Sequence, residues 1–329
     1  MIRHPHWRPA ALTVALFTAL FTSSGCFFGG GTDSVIDTFE PAKVDDAEDA
    51  EKLAGLSAPN LYFTGMSPLF FVELAASLPE KDPNCPVVEE DGDTTTYSGE
   101  CTTQSGTEVF GRATVVKTGE FGIDSGSLSG SVPIGTFTYE GFGYRASQSC
   151  DDGSKKEVEL RFDGRLESKE TGSGAYAFAI DLLGKGDLLD SKTCTLTPDG
   201  TLALVYSGTF SGEKPNGEGQ YQKTTWNGSG RLGQTDLGRA SATTHDEVVD
   251  ATVCGYEALS GSTQISAAKE VLVTYDGESD CSMDATVKWS LDGAEQGELK
   301  GVSCATGGGS ASAAALLFVL AGLRIRRRR

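Results

Sequence analysis

From Cys85 onward the chain alternates between apolar and polar residues, and this constrains the fold more than any other feature of the sequence. Residues 157–166 read Glu-Val-Glu-Leu-Arg-Phe-Asp-Gly-Arg-Leu. Val158, Leu160, Phe162 and Leu166 therefore fall on one side of an extended backbone, and Glu157, Glu159, Arg161, Asp163 and Arg165 fall on the other. Successive side chains of a strand point to opposite faces, so a period of two means a strand with one wet face, and such strands pair antiparallel. The same pattern groups Tyr176, Phe178, Ile180 and Leu182, then Leu202, Leu204, Tyr206 and Phe210, and finally Ala285, Val287, Trp289 and Leu291. Asx-Gly pairs, which suit tight hairpins because both central residues need positive φ, punctuate the runs at Asp91, Asp152, Asp163, Asp199, Asn216, Asn227, Asp276 and Asp292. Asp163-Gly164 sits inside an alternating run and reads equally as a bulge. The expected fold class is all-β: a mainly antiparallel β-meander, as a sandwich or one long curved sheet, in a single domain or two fused sheets.

One short N-terminal helix is expected beside it. Ser67-Pro68 opens an apolar stretch that Pro79 closes, and Ser at the N-cap, Pro at the first helical position and Pro beyond the end are the usual helix punctuation. Internal repetition is faint. Gly106–Thr114 echoes Gly233–Ser241, and Tyr206–Tyr221 resembles one MORN hairpin repeat; since repeat folds need about three or more units, both read as hairpins sharing turn chemistry.

The two ends differ from the body. Arg3 and Arg8 precede an apolar run of twelve residues, Ala10–Phe21, which has the charged and apolar regions of an export signal and is too short to span a bilayer. Ser23, Ser24 and Gly25 lead to Cys26. The segment resembles a bacterial lipobox, with Ser23 standing where the pattern has an aliphatic residue; the resemblance implies cleavage and lipidation at Cys26, while an ordinary signal would leave Cys26 a plain thiol. At the other end Cys304, the glycines Gly307, Gly308 and Gly309, the apolar Ala311–Leu323 and the cluster Arg326, Arg327, Arg328 and Arg329 follow in order. This tail resembles the MYXO-CTERM and GlyGly-CTERM sorting signals. It implies retention in the membrane until a sorting protease exchanges the tail for a surface anchor, with a simple tail anchor as the alternative. Implied partners are signal peptidase, the lipidation machinery, that protease and the membrane. The domain reading is a signal at 1–25, an acidic flexible spacer at 26–66, a disulfide-stitched β domain at 67–304 and a sorting tail at 305–329.

The charge of the chain is −19. Residues 1–25 and 305–329 together carry seven arginines and no acids, so the body between them stands at −26. Nucleic acid is excluded as a partner, because neutralising phosphates needs clustered Lys and Arg. Between Asp33 and Lys52 eight acids face two lysines, which reads as a self-repelling, extended spacer.

Catalytic chemistry finds little to stand on. His245 is the one histidine outside the signal, and no nucleophile elbow, paired-thiol metal motif or phosphate loop accompanies it. The acidic turns offer weak calcium candidates in Asp91, Asp93, Asp276 and Asp280. Trp226 and Trp289 lie on alternating strands and read as core before they read as sugar platforms. No cofactor is expected. The expected function is non-enzymatic, a surface-anchored envelope lipoprotein with a structural or adhesive role; the alternative is a secreted, carbohydrate-active hydrolase working by paired carboxylates.

Eight cysteines complete the reading. If Cys26 is lipidated and Cys304 belongs to the sorting signal, six remain, and export to an oxidising compartment favours pairing them. Sequence order makes Cys85–Cys101, Cys150–Cys194 and Cys254–Cys281 the simplest of fifteen connectivities. A rival arrangement joins Cys281 to Cys304.

Overall fold

The structure is a computed structural model that describes residues 31–76, 84–104, 106–124, 129–150, 152–190, 193–213, 223–250, 253, 258–275 and 286–300. Three helices come first: α1 (Thr32–Ile36), α2 (Ala47–Ala54) and α3 (Ala58–Ala76). The strands begin with β1 (Val87–Asp91), β2 (Thr94–Ser98), β3 (Cys101–Thr102), β4 (Glu108–Asp124) and β5 (Ser129–Ser149). They continue with β6 (Lys155–Gly172), β7 (Ala175–Asp190), β8 (Thr195–Glu213), β9 (Lys223–Gln234) and β10 (Gly238–Asp250). The last four are β11 (Ser260–Ser266), β12 (Glu270–Tyr275), β13 (Thr286–Leu291) and β14 (Ala294–Lys300). All belong to one 14-stranded antiparallel sheet in chain order, apart from the two-residue β3, which pairs only with β4 and leaves β2 beside β4 as well. The fold is therefore the expected all-β meander, built as one sheet.

The alternating residues bury the face that periodicity assigns them. Val158, Leu160, Phe162 and Leu166 are buried, as are Tyr176, Phe178, Ile180 and Leu182, then Leu202, Leu204, Tyr206 and Phe210, with Val287 and Trp289 near the end. Trp226 is buried as well. All but Val158 join one continuous apolar core; Val158 packs with Leu189 in a small satellite cluster around the Cys150–Cys194 disulfide. Strands β4 to β8 run to between 16 and 21 residues, and they are relieved by register breaks at Phe110/Arg112, Lys117/Gly119, Tyr139/Phe142 and Gly186/Leu188. Such bulges bend and twist a strand locally.

Several Asx-Gly pairs prove to be bulge chemistry instead of hairpin turns. Asp163-Gly164 lies within β6 opposite the break at Glu140–Gly141, where the Gly141 N–H donates to the Asp163 carboxylate at 2.7 Å. Asp199, at φ +53, sits in a break of β8, and Asn227-Gly228 lies inside β9. Asp292 and Gly293, both at positive φ, do close the β13–β14 hairpin.

Two expectations about the N-terminal region need correction. The stretch read as a flexible acidic spacer is folded from residue 32 on, because its few apolar residues find cover, Ala50, Leu53 and Ala54 at helical spacing in α2 and Ile36 and Val44 elsewhere in the segment. Ile36, Val44, Ala50 and Leu53 are all buried, while the acids that suggested repulsion face solvent. Asp46 caps α2, accepting from the Asp49 N–H at 3.1 Å. The helix expected to open at Ser67-Pro68 instead begins at Ala58, and Pro68 lies inside it. Proline cannot donate to the carbonyl four residues back. That carbonyl belongs to Thr64, and the Ser67 hydroxyl donates to it at 2.7 Å, so the pair that looked like a cap is an in-helix substitution of one donor for another.

The N-terminal segment passes from one face of the sheet to the other. α1 packs on the outer face, where Arg231 of β9 pairs with Asp33 (3.2 Å) and Asp37. The chain then crosses the rim: the Arg239 N–H donates to the Glu40 carbonyl at 2.8 Å and the Ala42 N–H returns the bond at 2.8 Å. α2 and α3 follow on the inner, apolar face. Tyr62 of α3 packs against Phe178, Phe210 and Trp226 at centroid distances of 5.1, 5.4 and 5.6 Å. Gly65 allows the close approach, since a Cβ there would meet Leu166 Cδ1 at 2.6 Å, and its carbonyl accepts from the Tyr139 hydroxyl at 3.0 Å. No helix among the described residues is long and apolar enough to cross a membrane.

Candidate functional site

Two polar constellations stand out, one inside the sheet and one on its outer face. The inner one lies at the N-terminus of α3. The Ala58 N–H donates to Thr244 Oγ1 at 2.9 Å, and the Tyr206 hydroxyl donates to the same oxygen at 3.2 Å. A hydroxyl has two lone pairs and one proton. With both lone pairs taken, Thr244 must donate, and its partner is Thr263 Oγ1 at 3.0 Å. Thr263 in turn donates to Glu247 Oε2 at 3.4 Å. The relay thus has one direction, from the helix amide and the phenol through two hydroxyls to a carboxylate. Thr244, Thr263 and Glu247 are fully buried. Burial pushes the Tyr206 phenol far above its ordinary range, opposed by its hydrogen bond to Thr244 and reinforced by the nearby Glu247 charge.

Sequence reasoning missed this relay. Ala240, Ala242 and Thr244 alternate inward, so strict alternation would send Glu247 to solvent. The register break between Thr244 and Glu247 shifts the phase by one and turns the carboxylate in. The same bulge leaves His245 exposed, and it is fastened by Asn227, which donates to Asp246 at 3.1 Å and accepts the Asp246 N–H at 2.9 Å. The Asn-Gly dipeptide that looked like a turn signal is thus the clasp of a bulge.

The outer constellation is a groove of about 260 Å³ beside α1. Strand register places its lining in two neighbouring rungs across β6, β7, β8 and β9. One rung runs Arg165, Asp181, Val205, Arg231; the next runs Glu167, Ala179, Ser207, Ser229. Small side chains form the floor and charges of both signs form the walls. Arg165 pairs with Glu167, while Asp33 and Asp37 hold Arg231. The Arg231 guanidinium is raised further above its usual range, first by the hydrogen bond to Asp37, with burial opposing and the Asp33 charge adding. Sequence periodicity put Arg165 on the wet face correctly, but only pairing register shows which charges share a rung.

The remaining candidate residues divide between those described and those outside. Cys85–Cys101 and Cys150–Cys194 are disulfides, as sequence order suggested. Cys26, Cys254, Cys281 and Cys304, the tail glycines and arginines, Asp276 and Asp280 lie outside the described residues. Asp91 and Asp93 are exposed at the β1–β2 hairpin. Among the described residues the one cluster of three metal-competent side chains is Cys150, Asp152 and Cys194, whose sulfurs are already joined. No protein-family model, curated protein or solved structure matches the chain.

Proposed function

We propose that this chain is a surface-anchored, non-enzymatic envelope lipoprotein, tethered through Cys26, with its C-terminal tail acting as a sorting signal, and that its role is structural or adhesive. The observation that carries the reading is how the sheet uses its two faces. The inner, apolar face is occupied by the chain's own α2 and α3, so among the described residues that face is spent on the core and not on a carried ligand. What the protein presents outward is a stitched, charge-laddered surface. Across β4, β5 and β6 the ladder runs Glu108, Arg145, Glu159, each directly opposite the next, with the Arg161 guanidinium 3.9 Å from the Phe110 ring centre. Alternating signs directly opposite one another across strands favour pairing within the sheet.

Export, lipidation and the oxidising compartment fit together with this. Two disulfides close the described body, as expected of a chain that folds outside the cytoplasm. The test is fractionation of wild type and Cys26→Ser, with protease added to intact cells. Retention of wild type in the membrane fraction, its loss in Cys26→Ser and cleavage by external protease are expected. A soluble wild type, or one shielded from protease, would overturn the proposal.

A further inference from the structure

We propose that the free edge of β1 is a docking site for an extended basic peptide segment, which joins the sheet as one further strand.

The backbone supplies the template. β1 pairs with β2 alone and ends the sheet on that side. Asp91 lies opposite Thr94 across the turn Gly92-Asp93, with Gly92 at φ +60. Residues that close a two-residue turn exchange hydrogen bonds, and such pairs alternate with non-bonded ones along an antiparallel ladder. Glu89 opposite Thr96 and Val87 opposite Ser98 are therefore bonded to β2, while the N–H and C=O groups of Val88 and Glu90 point away from it. Those outward groups have no partner among the described residues. All of β1 is exposed, with Val87 and Val88 at 45% each. At the opposite edge of the sheet Leu299 of β14 is buried and α2 packs against the strand. β14 is thus tied into the core, and β1 stands clear of it. Val88 lies opposite Tyr97, which packs against the core, so an apolar side chain added beside Val88 would continue that core by one strand.

Side-chain charge selects the occupant. Register puts Glu89 and Asp91 on the outer face with Thr94, Thr96 and Arg165, and Glu90 on the other, while Asp93 sits in the turn. β2 carries no charge, and the first cations inward, Arg112 and Lys117, stand on β4, where Lys117 pairs with Glu120. A bare edge invites pairing between copies, and charges along it prevent this. Two β1 edges joined through all their outward groups would centre on Glu89 opposite Glu89 of the second copy, and like charges directly opposite are destabilising. β14 of a second copy is no better matched, since it carries Glu295 and Glu298. The same acids favour a strand with Lys or Arg opposite Glu89 and Asp91. Strand addition takes its affinity from main-chain hydrogen bonds and its choice of sequence from such alternate positions.

The experiment follows the fluorescence anisotropy of a labelled, end-blocked peptide, Lys-Val-Lys-Val-Lys-Val-Lys, titrated with the purified full-length protein. The peptide should bind at low ionic strength and weaken as salt rises. The same peptide N-methylated throughout keeps its charge and loses every backbone donor; it should bind at least tenfold more weakly, as should a peptide with Glu in place of each Lys. Val88→Pro removes an outward N–H without touching a bond to β2 and should cost tenfold or more, with a melting temperature within a few degrees of wild type. The double variant Glu89→Gln, Asp91→Asn should cost as much and flatten the salt dependence, and it decides the matter alone if the proline variant does not fold. Absence of binding, equal binding of the methylated peptide, or a double variant that binds as wild type does would overturn the proposal. Binding is read on the isolated protein, so anchoring is decided separately by fractionation.

Discussion

Replacing Thr244 by valine tests the buried relay most directly. Valine keeps the shape of threonine and removes the oxygen that accepts from Ala58 and Tyr206 and donates to Thr263. Two buried donors then lose their acceptor. Each orphaned group costs ~1–3 kcal/mol, so about 3 kcal/mol together is a moderate figure, offset by roughly 0.8 kcal/mol for the added methyl. The net is a loss of ~2 kcal/mol. Unfolding entropy of ~2.1 cal/mol/K per residue, over the roughly 270 residues from 31 to 300, gives ~0.57 kcal/mol/K, so the melting temperature should fall by about 4 °C. Thr244→Ser keeps the oxygen and loses a methyl, which costs ~1 kcal/mol, or about 2 °C. The decisive measurement is a double-mutant cycle by chemical denaturation. Tyr206→Phe should cost less in the Thr244→Val background than in wild type, because it removes a donor that valine has already orphaned, with a coupling near ~1 kcal/mol. If Thr244→Val is as stable as wild type, or if Tyr206→Phe costs the same in both backgrounds, the hydroxyl is not the hub and the hydrogen-bond accounting is wrong.

Gly65→Val should destabilise by ~1–3 kcal/mol through overpacking, since even a Cβ would meet Leu166 at 2.6 Å; a differential scanning shift below about 1 °C would contradict the packing of α3. The Glu159 carboxyl is opposed by desolvation, yet hydrogen bonds from Arg145 and Arg161 outweigh this and hold it below the usual range. A carboxyl lowered in the folded state contributes stability that is present above its unfolded pKa of ~4.3 and is lost as pH falls through the folded value. The urea midpoint of wild type should therefore drop more steeply below about pH 4 than that of Glu159→Gln, and parallel acid limbs would count against the ladder. Tyr62 behaves with the opposite sign: burial raises its phenol to about 12, partly countered by Ser168, so its contribution is full below pH ~10 and fades above it. Absorbance at the phenolate band should show this tyrosine ionising only with alkaline unfolding, and early, reversible ionisation of every tyrosine would refute that. Non-reducing peptide mapping should return Cys85–Cys101 and Cys150–Cys194, and a peptide joining Cys281 to Cys304 would remove Cys304 from any sorting role.

Much of the fold was legible because β periodicity is local information. A residue two positions along a strand shares its face whatever the rest of the chain does, so Val158 to Leu166, Tyr176 to Leu182 and Leu202 to Phe210 could be assigned to the core without knowing a single partner. The two disulfides in the described body matched the order of the cysteines, although neither joins paired strands: Cys85 precedes β1 and Cys101 lies on β3, while Cys150 follows β5 and Cys194 precedes β8. What misled was also local. Net charge hid the few apolar residues that are buried there, Ile36, Val44 and Leu53, and Ser67-Pro68 has the same letters whether it begins a helix or interrupts one.

The sequence by itself determined the alternation, and with it an antiparallel, all-β body whose inner face is apolar. Tertiary structure decided everything that depends on phase and register. A bulge at His245–Asp246 shifts the pattern by one residue and buries Glu247 instead of exposing it, an outcome set by the partner strand and its Asn227 clasp. Register alone sets Arg165, Asp181 and Arg231 along one rung of the outer face. Those residues are separated by 16 and 50 positions in the chain, and nothing in their local composition encodes the distance between them. Packing also decided that the helix fills the sheet, since an apolar segment specifies only that it must be covered; which surface covers it depends on the shape of the finished sheet.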